Sequence, residues 1–194
     1  MTAPAQPELR PGHVYRTRDL AKWSKNPSRL ANRLVQQGEL LPLQHGLFVH
    51  PKRSRFGDVP PNDHDLLDAF LDHDRFVFTG PDRWNALGLG STAVFAAPLV
   101  YNRKRSGTFQ FGGRPFVLRR VAFPDEPSAE WFVVDLLEHG SQAGVSRTEV
   151  ARALARALAR GTFDRARLRE MAEQFGSMST RALVDEAVSK ANAL

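Results

Sequence analysis

One predicted helix carries five polar side chains at a spacing that suits the recognition of base edges. Residues three and four positions apart share a face of a helix, and one face of segment 27–37 presents Ser28, Arg29, Asn32, Arg33 and Gln36. Arginine can donate two hydrogen bonds to guanine, and asparagine or glutamine can pair with adenine. The pattern therefore predicts base contacts from Arg29, Asn32, Arg33 and Gln36, the alternative being an ordinary polar helix surface.

Further polar residues near this helix predict contacts with the phosphate backbone. Ser28 and Lys25 lie at the helix N-terminus, where backbone N–H groups favour an anion. Gln44 and His45 belong to the tip of a predicted hairpin, and an inert turn is the alternative for His45. The residues assigned to phosphate or hairpin contacts are Arg16, Arg18, Lys22, Lys25, Ser28, Gln44 and His45.

A cluster of histidine and aspartate raises a second kind of chemistry. His64, Asp68 and Asp72 fall on one face of a helix predicted over 63–72, and such a face could ligate the metal of a phosphohydrolase. The opposite face carries leucine and phenylalanine and is typical of packing against a core. We favour a solvated acidic face and predict no metal site, no cofactor and no catalytic residues.

A basic run, Arg103-Lys104-Arg105, falls in a predicted loop between strands. It could touch the DNA backbone or an acidic partner, although a solvated hairpin tip is the favoured interpretation. The chain also lacks GxGxxG, GxxxxGK[ST], GxSxG and HExxH motifs. We therefore expect a protein that is not an enzyme.

The elements that position the first set of residues form a predicted winged helix-turn-helix over 13–60. Thr17 is expected to cap a short first helix that ends near Trp23. Asn26 is expected to cap the second helix, with Pro27 at its first position and Gly38 at its end. A hairpin over 39–49 follows, with its tip at 44–46, and the proline at position 42 requires an edge strand or a bulge.

The net charge of +6 is concentrated in this region. Residues 1–60 carry ten Lys and Arg against four Asp and Glu, whereas the rest of the chain carries 17 of each. This asymmetry indicates a basic DNA-binding module on a neutral body. The sequence has no cysteine, which excludes disulfides and suits the cytoplasm. Residues 1–12 are expected to be disordered.

The remaining chain predicts an α+β protein. Residues 51–61 are expected to be a connector, and 61–194 a C-terminal domain with an α/β part over 61–125 and a helical part over 126–194. Strands are predicted over 75–79, 93–100, 108–111 and 115–123, in a small mixed or antiparallel sheet with a turn at Gly112-Gly113. Helices are predicted near 128–139, 146–160, 164–175 and 179–192, forming a bundle.

From about residue 13 onward the sequence resembles AbiEi-type antitoxins of the AbiE, or type IV, toxin–antitoxin systems. In the N-terminal part the residues that carry the resemblance are Val14-Tyr15-Arg16-Thr17-Arg18-Asp19-Leu20, Arg33-Leu34-Val35, Gly38-Glu39-Leu40 and His45-Gly46-Leu47-Phe48-Val49. Further along they are Phe78-Thr79-Gly80-Pro81, Ala86-Leu87-Gly88-Leu89, Tyr101-Asn102-Arg103, 116–121, Phe163-Asp164-Arg165-Ala166-Arg167-Leu168 and Ser179-Thr180-Arg181.

The resemblance implies a repressor that binds inverted repeats in its own promoter, as a monomer or weak dimer on DNA, and that counteracts a nucleotidyltransferase-like toxin. We therefore expect sequence-specific binding to double-stranded DNA. Two alternatives stay open: a protein-interaction module that neutralises a toxin without specific DNA binding, and a metal-dependent nuclease or phosphohydrolase at His64 and its neighbouring aspartates.

Overall fold

The computed structural model describes residues 7–140 and 143–193, which form a mixed α+β fold. These residues contain seven α-helices, one 3₁₀ helix and nine short strands. Their contacts divide the chain into two units. The first comprises the chain up to Arg75 together with Thr108–Phe116, and the second comprises Phe76–Gly107 and the chain from Val117 on.

The first part of the chain alternates short strands with helices. Its elements are β1 (Val14–Arg16), the 3₁₀ helix (Thr17–Lys22), α1 (Pro27–Gln36), β2 (Leu41–Gln44), β3 (Leu47–Val49), β4 (Lys52–Ser54), β5 (Gly57–Val59) and α2 (Asp63–Phe70). The remaining elements are β6 (Phe76–Thr79), α3 (Pro81–Ala86), β7 (Leu99–Asn102), β8 (Gly107–Phe111), β9 (Arg114–Arg120), α4 (Ala129–Glu138), α5 (Arg147–Ala159), α6 (Arg165–Phe175) and α7 (Met178–Ala191).

Strands β1, β2 and β3 form a three-stranded antiparallel sheet with β3 in the centre. Pro42 therefore lies on an edge strand, and the register of β2 shifts between Pro42 and Gln44, as the missing N–H of proline requires. The β2–β3 turn is His45-Gly46, where Gly46 has φ +71°. Both the hairpin and the accommodation of its proline confirm the sequence prediction.

The 3₁₀ helix and α1 pack their apolar faces into the core of the first unit. Leu20 is fully buried on the 3₁₀ helix, and Leu30, Ala31 and Leu34 are buried on α1. These side chains join Tyr15, Leu40 and Phe48 in one cluster. The cluster fixes the rotation of α1 about its axis, because only one face of the helix is apolar.

Two predictions for the first unit need correction. The predicted connector over 51–61 contains the β4–β5 hairpin, in which Lys52 pairs with Val59 and Ser54 with Gly57. Residues 7–12 are held by hydrogen bonds from Arg10 N to the Tyr15 hydroxyl (2.8 Å) and from Gly12 N to His50 O (2.7 Å). Residues 7–12 are therefore ordered, contrary to the prediction of disorder over residues 1–12. Residues 1–6, also predicted to be disordered, lie outside the described residues.

Strands β6 to β9 form a mixed sheet in the order β6-β7-β9-β8. β6 pairs antiparallel with β7, and β7 pairs parallel with β9. Gly112 and Gly113 form the predicted turn between β8 and β9, both with positive φ. The strand predicted over 93–100 is wrong in its first part, since only residues from Leu99 on enter the sheet. Helix α3 was not predicted.

Helices α4 to α7 confirm the predicted helical part, each within about two residues. A side-chain oxygen caps the N-terminus of every one of them; the capping residues are Ser128, Ser146, Asp164 and Ser177. Helix α5 buries Val150, Leu154 and Leu158 and exposes Arg152 and Arg156, as its spacing predicts. No helix within 7–140 or 143–193 is long and apolar enough to cross a membrane.

A buried carboxylate organises polar contacts in the second unit. Asp135 on α4 is only 5% exposed and accepts hydrogen bonds from Trp84 Nε1 and the Tyr101 hydroxyl, both at 2.8 Å, and from the Thr79 hydroxyl. One turn later, His139 Nδ1 lies 3.3 Å from an Asp135 oxygen, and its ring stacks on Trp84. Three donors and a histidine offset the cost of burying this charge.

This arrangement predicts that acid stabilises the second unit within a defined pH window. Hydrogen bonding to Asp135 raises the pKa of His139 above its usual value of 6.5, against the effects of burial and of Arg119. The contribution of protonated His139 to the free energy of unfolding is therefore fully present below the pKa of the unfolded state. It is lost as the pH rises through the pKa of the folded state. We expect the denaturant midpoint of unfolding to fall between pH 6 and pH 8.5 and His139→Gln to flatten this dependence. His45→Gln, at an exposed turn, is the control, and an unchanged slope in His139→Gln would contradict the assignment.

Candidate nucleic-acid interface

Helix α1 is fixed at its N-terminus by local hydrogen bonds. Asn26 Oδ1 accepts a hydrogen bond from Arg29 N at 3.0 Å, and Pro27 occupies the first helical position. Before the helix, the Ser24 hydroxyl accepts a hydrogen bond from Asn26 N at 3.1 Å, which closes the turn from the 3₁₀ helix. The predicted cap and turn are thereby confirmed.

The face of α1 opposite the core is polar and open. Ser28, Arg29, Asn32, Arg33 and Gln36 are all exposed. The last four of these residues border one open depression together with Ser24 and Leu30. The structure thus brings together on one exposed surface the four side chains predicted to read bases.

The residues expected to contact phosphates divide into two groups. Lys22 and Lys25 are exposed beside α1, and Lys22 Nζ lies 3.9 Å from the centre of the Trp23 ring. Arg16 is half-buried, pairs with Asp19 at 3.2 Å and also pairs with Asp72. Arg18 pairs with the same Asp72 oxygen. A phosphate would compete with these carboxylates for the two arginines, at a modest cost for an exposed pair such as Arg18–Asp72.

The two residues predicted to make contacts from the tip of the β2–β3 hairpin differ in their exposure. His45 is exposed, whereas Gln44 is half-buried, and its Oε1 is buried with no hydrogen-bond partner among the described residues. The Gly46 carbonyl accepts a hydrogen bond from Thr17 N at 2.9 Å, so the tip is tied to the start of the 3₁₀ helix. The sequence predicts Thr17 as the cap of that helix. In the structure Thr17 is the first helical residue, and the N-cap residue is Arg16.

The two aspartates considered as metal ligands have other contacts. Asp68 pairs with His73 at 2.6 Å, and Asp72 pairs with Arg16 and Arg18. The neighbouring Asp63 pairs with Arg114 at 2.6 Å. Within the described ranges no group of three or more His, Asp or Glu side chains is arranged to hold a metal ion. The metal-dependent alternative therefore gains no geometric support.

The basic run 103–105 lies in the second unit, at a turn built by a buried side chain. Asn102 Oδ1 accepts hydrogen bonds from the backbone N–H groups of Lys104 (2.8 Å) and Arg105 (2.7 Å). Arg103 pairs with Asp125 at 3.1 Å. All three basic side chains are exposed. They lie in a turn, whereas the polar side chains of the first unit share one face of a helix.

The β4–β5 hairpin is a basic surface that the sequence analysis did not identify as an element. Lys52, Arg53 and Arg55 are exposed on it, and Phe56 at its turn is 86% exposed. The sequence carries little signal for this hairpin, because its turn residues, Arg55 and Phe56, are not typical turn formers and both strands are short and polar.

Comparison with known proteins identifies a fold and no family. No protein-family model and no curated protein matches the sequence. The chain is similar to the crystal structure of the RV2827C protein from Mycobacterium tuberculosis, with a TM-score of 0.57 and 13% sequence identity. The match covers 93% of this chain and 75% of the other. At this identity the similarity concerns the fold alone.

We predict that the Asn26 cap contributes measurably to the stability of the first unit. Asn26→Ala leaves the Arg29 N–H without its side-chain acceptor and should lower the free energy of unfolding by about 1 kcal/mol. Asn32→Ala is the matched control, because it removes the same side chain from the exposed middle of α1, where alanine favours the helix. Chemical denaturation measures both variants, and an equal loss in the two would show that Asn26 has no capping role.

Proposed function

We propose that residues 13–60 form a winged helix-turn-helix that binds double-stranded DNA sequence-specifically, with α1 as the recognition helix. The observation that carries the proposal is the two-faced character of α1. Its buried face fixes the helix to the core, and its exposed face presents Arg29, Asn32, Arg33 and Gln36 together. This combination of side chains offers complementary hydrogen bonds to guanine and adenine in a major groove that admits an α-helix.

The topology around α1 supports this assignment. A short helix and a tight turn precede α1, and the β2–β3 hairpin follows it. In helix-turn-helix proteins the second helix enters the major groove while the first crosses the backbone. The β2–β3 hairpin then takes the place of the wing, with His45 as its exposed tip residue.

The charge distribution supports DNA as the partner. Lys22 and Lys25 flank the N-terminal end of α1, and Ser28 lies in its first turn. Cations in these positions neutralise phosphates, and backbone N–H groups at a helix N-terminus add to the attraction. Arg16 and Arg18 are further candidates for phosphate contacts, each of which would compete with its ion pair to Asp72.

The resemblance to AbiEi-type antitoxins extends the proposal to biology. In that reading the protein represses its own promoter by binding inverted repeats and counteracts a nucleotidyltransferase-like toxin, with no catalytic activity of its own. The alternative is a protein-interaction module in which the first unit contacts a protein. The dependence of binding on salt concentration distinguishes these two functions. DNA binding weakens steeply at higher salt, because cations in solution compete with the protein for the phosphates.

The test is an anisotropy titration of the full chain against the DNA upstream of its gene, with random duplex as competitor, at two salt concentrations. We expect specific binding at least about tenfold tighter than random binding, a threshold well below the roughly 10³–10⁷-fold preference usual for such proteins. Arg33→Ala should weaken binding to the specific duplex by roughly 1–3 kcal/mol and change random binding much less. Arg152→Ala, an exposed arginine on α5, is the matched control for loss of charge.

Lys25→Ala should behave differently from Arg33→Ala in the same titration. Loss of a phosphate contact weakens binding to every sequence and lowers the salt slope by about one. Equal losses on specific and random DNA for Arg33→Ala would contradict base reading by α1. Equal and weak binding of the wild type to both duplexes would indicate only a generic basic surface and would contradict the proposed function.

A further inference from the structure

The β4–β5 hairpin is the most exposed ordered element of the first unit. Every residue from Lys52 to Pro60 is exposed, whereas Pro51 and Pro61, just outside the strands, are buried. The two buried prolines hold the base of the hairpin in the unit. With three residues in each strand, the hairpin extends about 10 Å from that base.

The turn of the hairpin is ordered by its own polar groups. Ser54 Oγ donates a hydrogen bond to Gly57 O at 2.9 Å and accepts one from Phe56 N at 3.2 Å. Gly57 has φ +111°, a conformation that a residue with a side chain rarely adopts. An isolated two-stranded hairpin is only marginally stable, so these contacts and the anchored base account for its shape.

The tip combines positive charge with an exposed aromatic ring. Lys52, Arg53 and Arg55 outnumber the single carboxylate of Asp58. The Arg55 guanidinium lies 4.6 Å from the centre of the Phe56 ring, which is itself 86% exposed. A large apolar side chain this exposed contributes little to folding by burial.

The hairpin leaves the three-stranded sheet close to the C-terminal end of α1. It follows directly on β3, and His50 Nδ1, at the end of that strand, lies 2.5 Å from the carbonyl of Glu39, three residues after α1. The base of the hairpin therefore lies near the C-terminal end of α1, and its positive charge belongs to the same unit as the polar face of α1.

We propose that the β4–β5 hairpin is a second DNA-contacting element, whose tip, Arg55-Phe56, enters the minor groove beside the major groove bound by α1. This inference rests on the proposed function. Arginine is attracted to the strong negative potential of a narrow, A·T-rich minor groove. Phenylalanine is among the apolar side chains that wedge between base steps from this groove. Lys52 and Arg53 on β4 then lie beside the phosphates that border the groove.

The experiment is hydroxyl-radical footprinting and anisotropy on the upstream duplex with the full chain. The variants are Arg55→Ala, Phe56→Ala and the double variant, with Arg152→Ala as the matched control. All the substitutions lie on exposed side chains, and circular dichroism verifies folding. We expect the double variant to bind about tenfold more weakly, as loss of a minor-groove wedge and its arginine implies. Its footprint should lose protection at the minor groove flanking the α1 contact and keep the rest.

Each outcome has a distinct meaning. An unchanged footprint and affinity in the double variant, with specific binding by the wild type, would overturn the role of the hairpin and leave α1 as the reader. An affinity loss with an unchanged footprint would show a general electrostatic effect and would also overturn it. No specific footprint from the wild type would overturn the proposed function, and the hairpin's role with it.

Discussion

The burial of one face of α1 is the constraint on which the rest of the first unit depends. Leu30, Ala31 and Leu34 can be removed from water only against the cluster formed by β1, β3 and the 3₁₀ helix. Once they are buried, the rotation of the helix is fixed, and the arginine, asparagine and glutamine side chains must face solvent as one group. Hydrophobic packing thus orders a polar surface that makes no contribution to the core itself.

Ion pairing distinguishes some basic residues of the first unit from others. Asp72 has φ +62° at the end of α2, and its carboxylate meets both Arg16 and Arg18. Further exposed cations of the first unit lie beside α1, at Lys22 and Lys25, and on the β4–β5 hairpin, at Lys52, Arg53 and Arg55. A surface arranged in this way suits a duplex better than a uniformly basic patch would, because the positive charge accompanies side chains that can distinguish bases.

Local signals in the sequence predicted much of this arrangement, and long-range contacts account for what they missed. The Asn26-Pro27 start of α1 and the Gly112-Gly113 turn depend on residues close in sequence, and both were predicted. The pairing of Arg16 with Asp72 joins residues 56 positions apart, which no local pattern reveals. The apolar segment 93–98 resembles a strand, yet it lies outside the sheet. The prolines and charges of residues 51–61 indicate a connector, whereas the structure pairs β4 with β5 there.

The most direct measurement of the central claim is an NMR titration of the ¹⁵N-labelled full chain with the duplex from upstream of its gene. If α1 reads DNA, the largest changes in amide chemical shift will lie at residues 24–37, with a second group at residues 52–59. Amides of α5 and α7 will change little. Changes confined to residues 147–191, or no changes at all, would contradict DNA recognition by α1.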